Sequence, residues 1–246
     1  MLSKSQIKLI TSLKQKKNRL QHQLFVAEGK KTILELLNSK LQLHQLFTTT
    51  LEFDVSDVLQ TIITEKELNK ISFLKTPNTT LAVFEIPKPL PIDFSKLIIA
   101  LDDVRDPGNL GTIIRLCDWF GVMDLVCNVE TVDCYNPKVI QASMGSITRV
   151  NVSYLNIENF LSSQKNTEKF GTFRDGDNVY NIKLPGSGIL VLGNEANGIC
   201  KKVESQITHR IYIPRFGDIQ ATESLNVANA VAILLSEFRR QNTIET

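Results

Sequence analysis

Long apolar segments are missing from this 246-residue sequence. No apolar run approaches the roughly 18 residues that a membrane-spanning helix needs. The N-terminus has neither the apolar stretch nor the small-residue cleavage site of a secretory signal peptide. Internal repeats and low-complexity segments are absent as well. We therefore expect a cytoplasmic protein of one or two domains that makes no contact with a membrane.

Metal-ligating residues are scarce and scattered. No CxxC pair occurs, and only three histidines could join the cysteines as ligands: the seven residues are Cys117, Cys127, Cys134, Cys200, His22, His44 and His209. This distribution predicts neither a zinc site nor a disulfide framework. We expect no metal, and we expect reduced thiols that are mostly buried.

The common nucleotide-binding motifs are also missing. The single G-x-G, at residues 186–188, precedes a predicted strand, whereas a dinucleotide-binding fingerprint lies between the first strand and its helix. There is no Walker A motif. These absences argue against a nucleotide-dependent oxidoreductase, a P-loop enzyme and a methyltransferase of the glycine-rich Rossmann type.

Positive charge is concentrated at the N-terminus. Residues 1–31 hold eight Lys or Arg and one acid, Glu28, which gives +7 there and leaves about −5 for the rest of a chain with net charge +2. This asymmetry favours a polyanionic partner. A solvated amphipathic helix over residues 1–24, with Ile7, Ile10 and Leu13 turned inward, explains the lysines almost as well. The candidate RNA-binding residues are Lys14, Lys16, Lys17, Arg19 and Lys30.

Three prolines divide the chain. Pro87, Pro89 and Pro91 cannot continue a helix or a central strand, so residues 87–95 are interpreted as a linker. Residues 1–86 mix helical and strand-like runs, which indicates a small α/β domain. In residues 96–246 continuous apolar runs alternate with helical patterns, which predicts a mostly parallel sheet covered by helices on both faces.

Ligands of such sheets gather at the carboxyl ends of the strands, and polar residues follow predicted strands in three segments. The segments are "NLGTIIR" with Asn109 and Arg115, "LGNEANGI" with Gly193 and Glu195, and "IPRFGDIQATESLNVANA" with Ser224 and Asn226. Each residue has a simpler explanation when taken alone. Asn109 and Ser224 are residue types that are typical of helix N-caps. Gly193 is typical of a turn, and Glu195 is typical of a solvated loop. Arg115 can extend past its apolar neighbours to solvent.

In combination and in this order, the three segments resemble the three motifs of the SpoU/TrmH branch of the SPOUT RNA methyltransferases. The string "NPKVIQASMGS" is similar to the segment that the family has between its first two motifs. Upstream, "FVAEGKKTILELL" and "KTPNTTLAVFEIP" are similar to a ribosomal-protein-like substrate-binding domain often attached to it. The resemblance covers nearly the whole chain.

The resemblance implies a fold, a reaction and a set of residues. It implies an α/β catalytic domain with a parallel sheet and a deep trefoil knot, preceded by the substrate-binding domain, and a homodimer. The reaction implied is methyl transfer from S-adenosyl-L-methionine to a ribose 2′-hydroxyl in RNA. The implied cofactor-binding residues are Leu192, Gly193, Ile213, Pro214, Leu225 and Ala228. The implied catalytic residues are Arg115, Asn109, Glu195, Ser224 and Asn226.

Several alternatives stay open at this point. Arg115 is either the general base, which the high basicity of a guanidinium disfavours, or a bidentate clamp for an RNA phosphate. Glu195 and Asn226 orient groups rather than transfer protons, and Ser224 donates to the substrate or caps a helix. The loop 215–223 looks longer than in many relatives and is a candidate lid, with Arg215 and Asp218 facing solvent. The substrate is predicted to be ribosomal RNA; the alternatives are transfer RNA and a non-catalytic RNA-binding assembly factor.

Overall fold

A computed structural model describes residues 1–219 and 224–242. The chain forms two compact units. Unit 1 comprises residues 1–88 together with 133–148, and unit 2 comprises 89–132 together with the residues from 149 onward. Among the described residues, no helix is both long enough and apolar enough to span a bilayer.

The elements of residues 1–88 are four helices and four strands. In chain order they are α1 (Lys4–Ser12), α2 (Lys16–His22), β1 (Leu24–Glu28), α3 (Lys30–Leu37), β2 (Leu43–Thr48), β3 (Gln60–Ile62), α4 (Glu65–Ile71) and β4 (Thr80–Glu85).

The remaining chain alternates strands and helices. Its elements are β5 (Leu97–Leu101), α5 (Pro107–Trp119), β6 (Asp124–Asn128), α6 (Pro137–Ser143), a 3₁₀ turn (Ser146–Thr148), β7 (Asn151–Leu155), α7 (Ile157–Ser163), β8 (Lys169–Asn178), β9 (Gly188–Leu192), α8 (Lys201–Glu204), β10 (His209–Tyr212) and α9 (Val227–Asn242).

Unit 1 is built on a four-stranded sheet in the order β1-β4-β2-β3. Strand β4 pairs antiparallel with both β1 and β2, and β3 pairs parallel with β2. Helix α4 begins at Glu65, and the side chains of its N-cap Thr64 and of Glu67 form a capping box. The small α/β domain expected before the prolines is therefore present.

The N-terminal basic segment forms two helices, which corrects the single helix predicted over residues 1–24. Helix α1 ends at Ser12 and α2 begins at Lys16. Leu13, in the connection, is fully buried together with Ile10. The chain turns at this point because burying Leu13 in the core of unit 1 outweighs one or two more helical hydrogen bonds on an exposed helix.

Residues 133–148 belong to unit 1, although the sequence analysis counted them in the 96–246 domain. Helix α6 packs against β1. The ring of Tyr135 lies 4.8 Å from that of Phe25, centroid to centroid. Gly145 is required beside Glu35, because a Cβ there would lie 2.6 Å from the Glu35 Cβ. The predicted bounds of the two domains stay a prediction.

Unit 2 contains a six-stranded sheet in the order β10-β8-β9-β5-β6-β7, and all of its pairings are parallel. The central strands are buried along their whole length: all five residues of β5 and all five of β9 are buried. This confirms the parallel α/β sheet predicted from continuous apolar runs. The knot expected from the resemblance stays a prediction.

The proline-rich linker is irregular, as expected. Residues 86–93 have neither helix nor strand. Within unit 2, the backbone N–H of Leu90 donates to the Asn151 side chain at 2.8 Å, and the Asn151 amide donates to the Leu90 carbonyl at 3.0 Å. The start of unit 2 is thus attached by side-chain hydrogen bonds rather than by a regular element.

Candidate active site at the carboxyl edge of the parallel sheet

The strand order creates a crevice between β5 and β9. The strands that follow β5 in the chain, β6 and β7, lie on one side of it, whereas the later strand β9 lies on the other side. The direction in which strands are added to the sheet therefore reverses between β5 and β9. In open α/β sheets ligands bind where the order reverses in this way, outside the carboxyl ends of the strands. Leu101 and Leu192 are paired at these ends, and the N–H of Asp102 donates to the Leu192 carbonyl at 2.8 Å.

Asn109 points its side chain into this edge. The N-cap of α5 is Asp106, whose carboxylate accepts the Asn109 N–H at 2.8 Å, and Pro107 follows it. Asn109 is therefore not the cap, and its amide is available for other contacts. Its Nδ2 donates to Glu195 Oε1 at 2.8 Å. A residue after β5 is thereby joined to one after β9, 86 positions later in the chain.

Asn226 extends this contact to a third segment. Its Nδ2 donates to Asn109 Oδ1 at 2.9 Å, and its own Oδ1 accepts the N–H of Ala228 at 2.9 Å at the start of α9. Asn226 therefore caps α9 with one end of its amide and holds Asn109 with the other. Three predicted residues from three segments thus form one hydrogen-bonded chain, which we call the Glu195–Asn109–Asn226 chain.

The other two predicted catalytic residues are not joined to this chain. Arg115 lies on α5 six residues after Asn109, roughly 9 Å along the helix axis, and its side chain is exposed. Within residues 1–219 and 224–242 no hydrogen bond or ion pair involves the side chain of Arg115 or of Ser224. Ser224 is exposed and lies three residues before Val227, the first residue of α9, so it is not the helix cap that the sequence suggested.

A wide cleft of about 1490 Å³ opens beside the Glu195–Asn109–Asn226 chain. Its walls include five of the six predicted cofactor-binding residues: Leu192, Gly193, Ile213, Pro214 and Leu225. Ala228 is buried, and Val227 and Ala230 line the cleft in its place. The cleft is larger than the usual small-molecule pocket of about 300–1,000 Å³, so it can hold a ligand of nucleoside size or more.

The loop 193–200 forms one wall of the cleft. Asn194 and Gly198 exchange both backbone hydrogen bonds, at 3.0 and 2.8 Å. The chain therefore returns on itself directly over Gly193, where a Cβ would lie 2.1 Å from the Gly198 carbonyl carbon. Only glycine fits at residue 193. Glu195 is at the exposed tip of this loop.

Two polar residues that support this loop were missed by the sequence analysis. Asp102 is buried, and its carboxylate accepts the Cys200 N–H at 2.8 Å. Asn194 donates from Nδ2 to the Asp103 carbonyl at 2.7 Å, while its Oδ1 accepts the Ala196 N–H at 2.9 Å. The only sequence signal for either residue is its position after an apolar strand. Asp102 directly follows β5, and Asn194 is separated from β9 by Gly193.

The candidate lid is only partly described. Residues 215–219 are exposed, Arg215 and Asp218 among them as expected, and Phe216 and Ile219 line the cleft. Residues 220–223 lie outside the described part of the chain. The lid stays a prediction.

The cysteines show no feature of a catalytic or metal site. Cys117, Cys127 and Cys134 are buried, and Cys200 is exposed. Burial raises the pKa of the Cys117 thiol, and partial burial together with the Asp102 carboxylate raises the pKa of the Cys200 thiol. Raised pKa values keep both thiols protonated at neutral pH, which makes them poor nucleophiles. Across the described residues, no group of three or more potential ligands could hold a metal ion.

The predicted RNA-binding residues of unit 1 differ in availability. Lys14, Lys16 and Lys17 are exposed between and within α1 and α2, and Lys30 is exposed and paired with Glu52. Arg19 requires a correction, because its side chain is only 2% exposed.

The Arg19 guanidinium has a structural role. Its Nε donates to Asp133 Oδ2 at 2.8 Å, and its Nη1 donates to the carbonyls of Leu13 and Lys14 at 2.8 and 2.9 Å. Four of the five guanidinium donors are used, one of them from Nη2 to Asp133, and burial keeps the group out of reach of a phosphate. Arg19 therefore joins α2 to residue 133 within unit 1 and is removed from the candidate RNA contacts.

Comparison with known protein families gives two matches along the chain. Residues 96–236 match the model of the SpoU rRNA Methylase family, and residues 4–82 match the MRM3-like substrate binding domain. The first match contains the whole Glu195–Asn109–Asn226 chain. The second covers the candidate RNA-binding lysines, Lys14, Lys16, Lys17 and Lys30.

Individual relatives resemble the chain over most of its length. It is 28% identical over 231 residues, which is 91% of this chain and 92% of the relative, to the 23S rRNA (guanosine(2553)-2′-O)-methyltransferase RlmP of Bacillus subtilis (strain 168). A TrmH-family structure from Porphyromonas gingivalis has 38% identity and a TM-score of 0.87, and the match covers 98% of this chain and 99% of the other. An AdoMet-bound rRNA methyltransferase from Sinorhizobium meliloti has 29% identity and a TM-score of 0.86, with 99% and 97% covered.

Proposed function

Because this chain belongs to the SpoU rRNA methylase family, we propose that its substrate is a ribose 2′-hydroxyl of ribosomal RNA. The protein is an RNA 2′-O-methyltransferase, and S-adenosyl-L-methionine is its cofactor. The proposal of ribosomal RNA is supported by relatives that act on 23S rRNA, RlmP among them. The structural observation that carries the assignment of the site is the Glu195–Asn109–Asn226 chain beside the large cleft.

The residues around the cleft fit the cofactor. Leu192 and Ile213 bring the ends of two strands to the cleft, and Gly193 has no side chain that could block it. Leu225, which is half exposed, adds an apolar surface to the lining of the cleft. We infer that Leu192, Gly193, Ile213, Pro214 and Leu225 hold S-adenosyl-L-methionine, with Val227 and Ala230 beneath them. When bound, the cofactor supplies an electrophilic methyl group on a sulfonium centre.

The Glu195–Asn109–Asn226 chain orients the reacting groups in this proposal. Each asparagine uses both ends of its amide, so neither side chain can rotate without breaking two hydrogen bonds. The Glu195 carboxylate keeps one oxygen for Asn109 and presents the other toward solvent. Holding reactants in the geometry of attack contributes several kcal/mol to catalysis. These residues supply orientation.

Arg115 is proposed to hold an RNA phosphate. Its side chain is exposed and unpaired within the described part of the chain, and a guanidinium keeps its proton at neutral pH. Its planar set of donors matches two phosphate oxygens at once. This arrangement favours the phosphate clamp over the general base. Ser224 is close to the cleft and exposed, which suits a hydroxyl that contacts the substrate.

Unit 1 is proposed to bind the RNA around the target. The match to a substrate-binding domain and the exposed residues Lys14, Lys16 and Lys17 support this assignment. Contacts of lysine to phosphate position an RNA without reading its sequence. We therefore assign to unit 1 affinity for a structured RNA rather than the choice of one nucleotide.

Three further features of the proposal concern the whole protein. We infer a homodimer, a trefoil knot in the C-terminal part of unit 2, and a cytoplasmic location. The homodimer is supported by Trp119, which is 84% exposed at the end of α5, a degree of exposure unusual for a large aromatic side chain. The knot is supported by the similarity of fold to family structures.

The function is tested with tritiated S-adenosyl-L-methionine and the purified protein. The substrates are ribosomal RNA, transfer RNA and ribosome assembly intermediates from a strain that lacks the protein, offered separately. We expect label in a 2′-O-methylated nucleotide of ribosomal RNA, free or in assembly intermediates. Label in transfer RNA alone would overturn the proposed substrate. Absence of label in all three, with measurable cofactor binding, would favour a non-catalytic RNA-binding assembly factor.

A further inference from the structure

Loop 193–200 carries two parts of the site, and both depend on where the loop lies. Leu192, Gly193 and their successors form a wall of the cleft, and Glu195 at the tip holds Asn109. The loop has neither helix nor strand to fix it, apart from the single bridge between Asn194 and Gly198. Apart from Ile199, which packs in the core of unit 2, its position relative to the sheet therefore depends on the hydrogen bonds at its two ends.

Both ends are attached to the residues that follow β5. At the start, the Asn194 amide donates to the Asp103 carbonyl at 2.7 Å. At the end, the Cys200 N–H donates to Asp102 Oδ2 at 2.8 Å. The two attachment points are adjacent residues, so the loop is held at both ends by the carboxyl end of one strand.

Asp102 is itself held rigidly. It is 3% exposed, its N–H donates to the Leu192 carbonyl at 2.8 Å, and its Oδ1 accepts from Asn128 Nδ2 at 3.2 Å. Both carboxylate oxygens thus accept hydrogen bonds, from Cys200 on one side and from Asn128 on the other. A buried carboxylate is costly unless such donors compensate it, and an apolar residue would fill the same space at lower cost.

We propose that Asp102 is a positioning residue of the methyltransferase: by accepting the Cys200 N–H it holds loop 193–200 where its backbone contacts S-adenosyl-L-methionine and its Glu195 reaches Asn109. Asn194 performs the same task at the other end of the loop. Asp102 does not line the cleft and does not touch the reacting atoms. The inference rests on the proposed assignment of the cleft as the cofactor site.

Asp102→Asn is a sharp test because it keeps the shape of the side chain. The new amide group must face either the Cys200 N–H or the Asn128 amide, so one donor always meets another donor. Rotation of Asn128 does not relieve this, because its Oδ1 already accepts the Val129 N–H at 3.0 Å. The variant therefore loses either the hydrogen bond from Cys200, which attaches the loop, or the one from Asn128, which fixes the side chain that receives it, while adding no bulk.

The same sheet supplies a matched control at its opposite edge. Asp124 begins β6, is 4% exposed, and accepts one backbone N–H, from Asp93 at 3.1 Å, and one asparagine amide, from Asn151 at 2.7 Å. Asp124→Asn creates the same conflict between donors in the same kind of burial. It should lower the melting temperature about as much as Asp102→Asn, without any effect on the loop.

The measurement is the dissociation constant of S-adenosyl-L-methionine for the full-length chain, by titration calorimetry without RNA. We expect Asp102→Asn to raise it at least tenfold; tenfold corresponds to about 1.4 kcal/mol, close to the lower end of the range for a lost hydrogen bond to a charged group. We expect Asp124→Asn to change it less than twofold. In activity assays the KM for the cofactor should rise in Asp102→Asn, whereas the KM for RNA should not.

Two results would overturn the inference: cofactor affinity within twofold of wild type in Asp102→Asn, or an equal loss in both variants, which would mark a general effect of destabilisation. If Asp102→Asn does not fold, Asn194→Asp replaces it. That change keeps the acceptor for Ala196 and replaces the donor to the Asp103 carbonyl with a negatively charged oxygen, so a loss of at least tenfold is expected, and unchanged affinity would refute the role. Failure of the wild-type protein to bind the cofactor would instead overturn the proposed function, and the inference with it.

Discussion

Replacing Asn109 with aspartate tests whether the Glu195–Asn109–Asn226 chain orients the site. Asn109 Nδ2 donates to Glu195 Oε1 at 2.8 Å, and Asn109 Oδ1 accepts from Asn226 at 2.9 Å. Aspartate keeps the acceptor for Asn226 and replaces the donor toward Glu195 with a negatively charged oxygen. The side chain keeps its shape, so the change is one of charge and hydrogen bonding.

The expected size of the effect follows from two contributions. A hydrogen bond to a charged group is worth about 1.5–3 kcal/mol, and we take the lower end because Glu195 is exposed. Two like charges about 4 Å apart in water repel by about 1 kcal/mol. The sum, about 2.5 kcal/mol, corresponds to a fall in kcat of roughly a hundredfold if the whole cost falls on orientation in the transition state.

The assay is methyl transfer at saturating cofactor and RNA, with the melting temperature measured as a check on folding. Glu195→Gln is the control, because glutamine can present its oxygen to Asn109 and keep the hydrogen bond. The double variant Asn109→Asp with Glu195→Gln reverses donor and acceptor, so the glutamine amide now donates to the aspartate. We expect the control to keep most activity and the double variant to recover at least tenfold over Asn109→Asp.

A kcat within threefold of wild type in Asn109→Asp would refute the reasoning, because the contact would then contribute nothing to the reaction. A large loss in Glu195→Gln would show that the charge of Glu195 itself takes part. In that case the double variant is not expected to recover.

Three further predictions concern a cation of the site, a buried ion pair and the acid limb of stability. Arg115→Ala should lower kcat at least a hundredfold, because the variant loses the proposed contact to the RNA phosphate. The dissociation constant of the cofactor, measured by calorimetry, should change less than twofold, because Arg115 does not line the cleft. Loss of cofactor binding would show a structural role instead. Arg19→Met should lower the free energy of unfolding by about 3–5 kcal/mol in urea titrations, because it leaves the Asp133 carboxylate buried without its cation; a loss under 1 kcal/mol would contradict the burial of that pair. The Thr64 backbone N–H donates to the Glu67 carboxylate at 2.9 Å and lowers the pKa of Glu67 from 4.5 to about 2. The ionised Glu67 therefore stabilises the fold above pH 4.5, and this contribution is lost as the pH falls toward 2. Glu67→Gln should therefore flatten the decline of stability between pH 4.5 and 2, and equal slopes in both proteins would contradict this assignment.

The parallel sheet could be predicted from the sequence because its strands are buried on both faces. Residues 97–101 and 188–192 are continuous apolar runs, and all ten are buried. Local spacing also gave Asn109 and Arg115 a common helix. Local spacing could not show that Asn109 contacts Glu195. That contact requires β9 to pair with β5, and the order of strands in the sheet cannot be read from local spacing.

Counting charges could not separate Arg19 from the lysines around it. The side chain that neutralises Arg19 is 114 residues away in the chain, and only the packing of residues 133–148 onto unit 1 brings it near. The break after Ser12 has no proline or glycine to signal it, since it depends on the burial of Leu13. Asp102 was missed because an acidic residue after a strand is usually solvated, and its burial follows from the return of the loop at Cys200.

The discontinuity of unit 1 has a consequence for how the protein is made. Residues 1–88 leave the ribosome before Asp133 and Tyr135 exist, so for that time Arg19 has no carboxylate and the face of β1 that receives α6 is uncovered. At about 5–20 residues per second, the 45 residues from 89 through 133 take roughly 2–9 seconds to synthesise. The nascent N-terminal part thus lacks the carboxylate that pairs with Arg19 and the helix that covers β1. Unit 1 is complete only after the first segment of unit 2 has been translated.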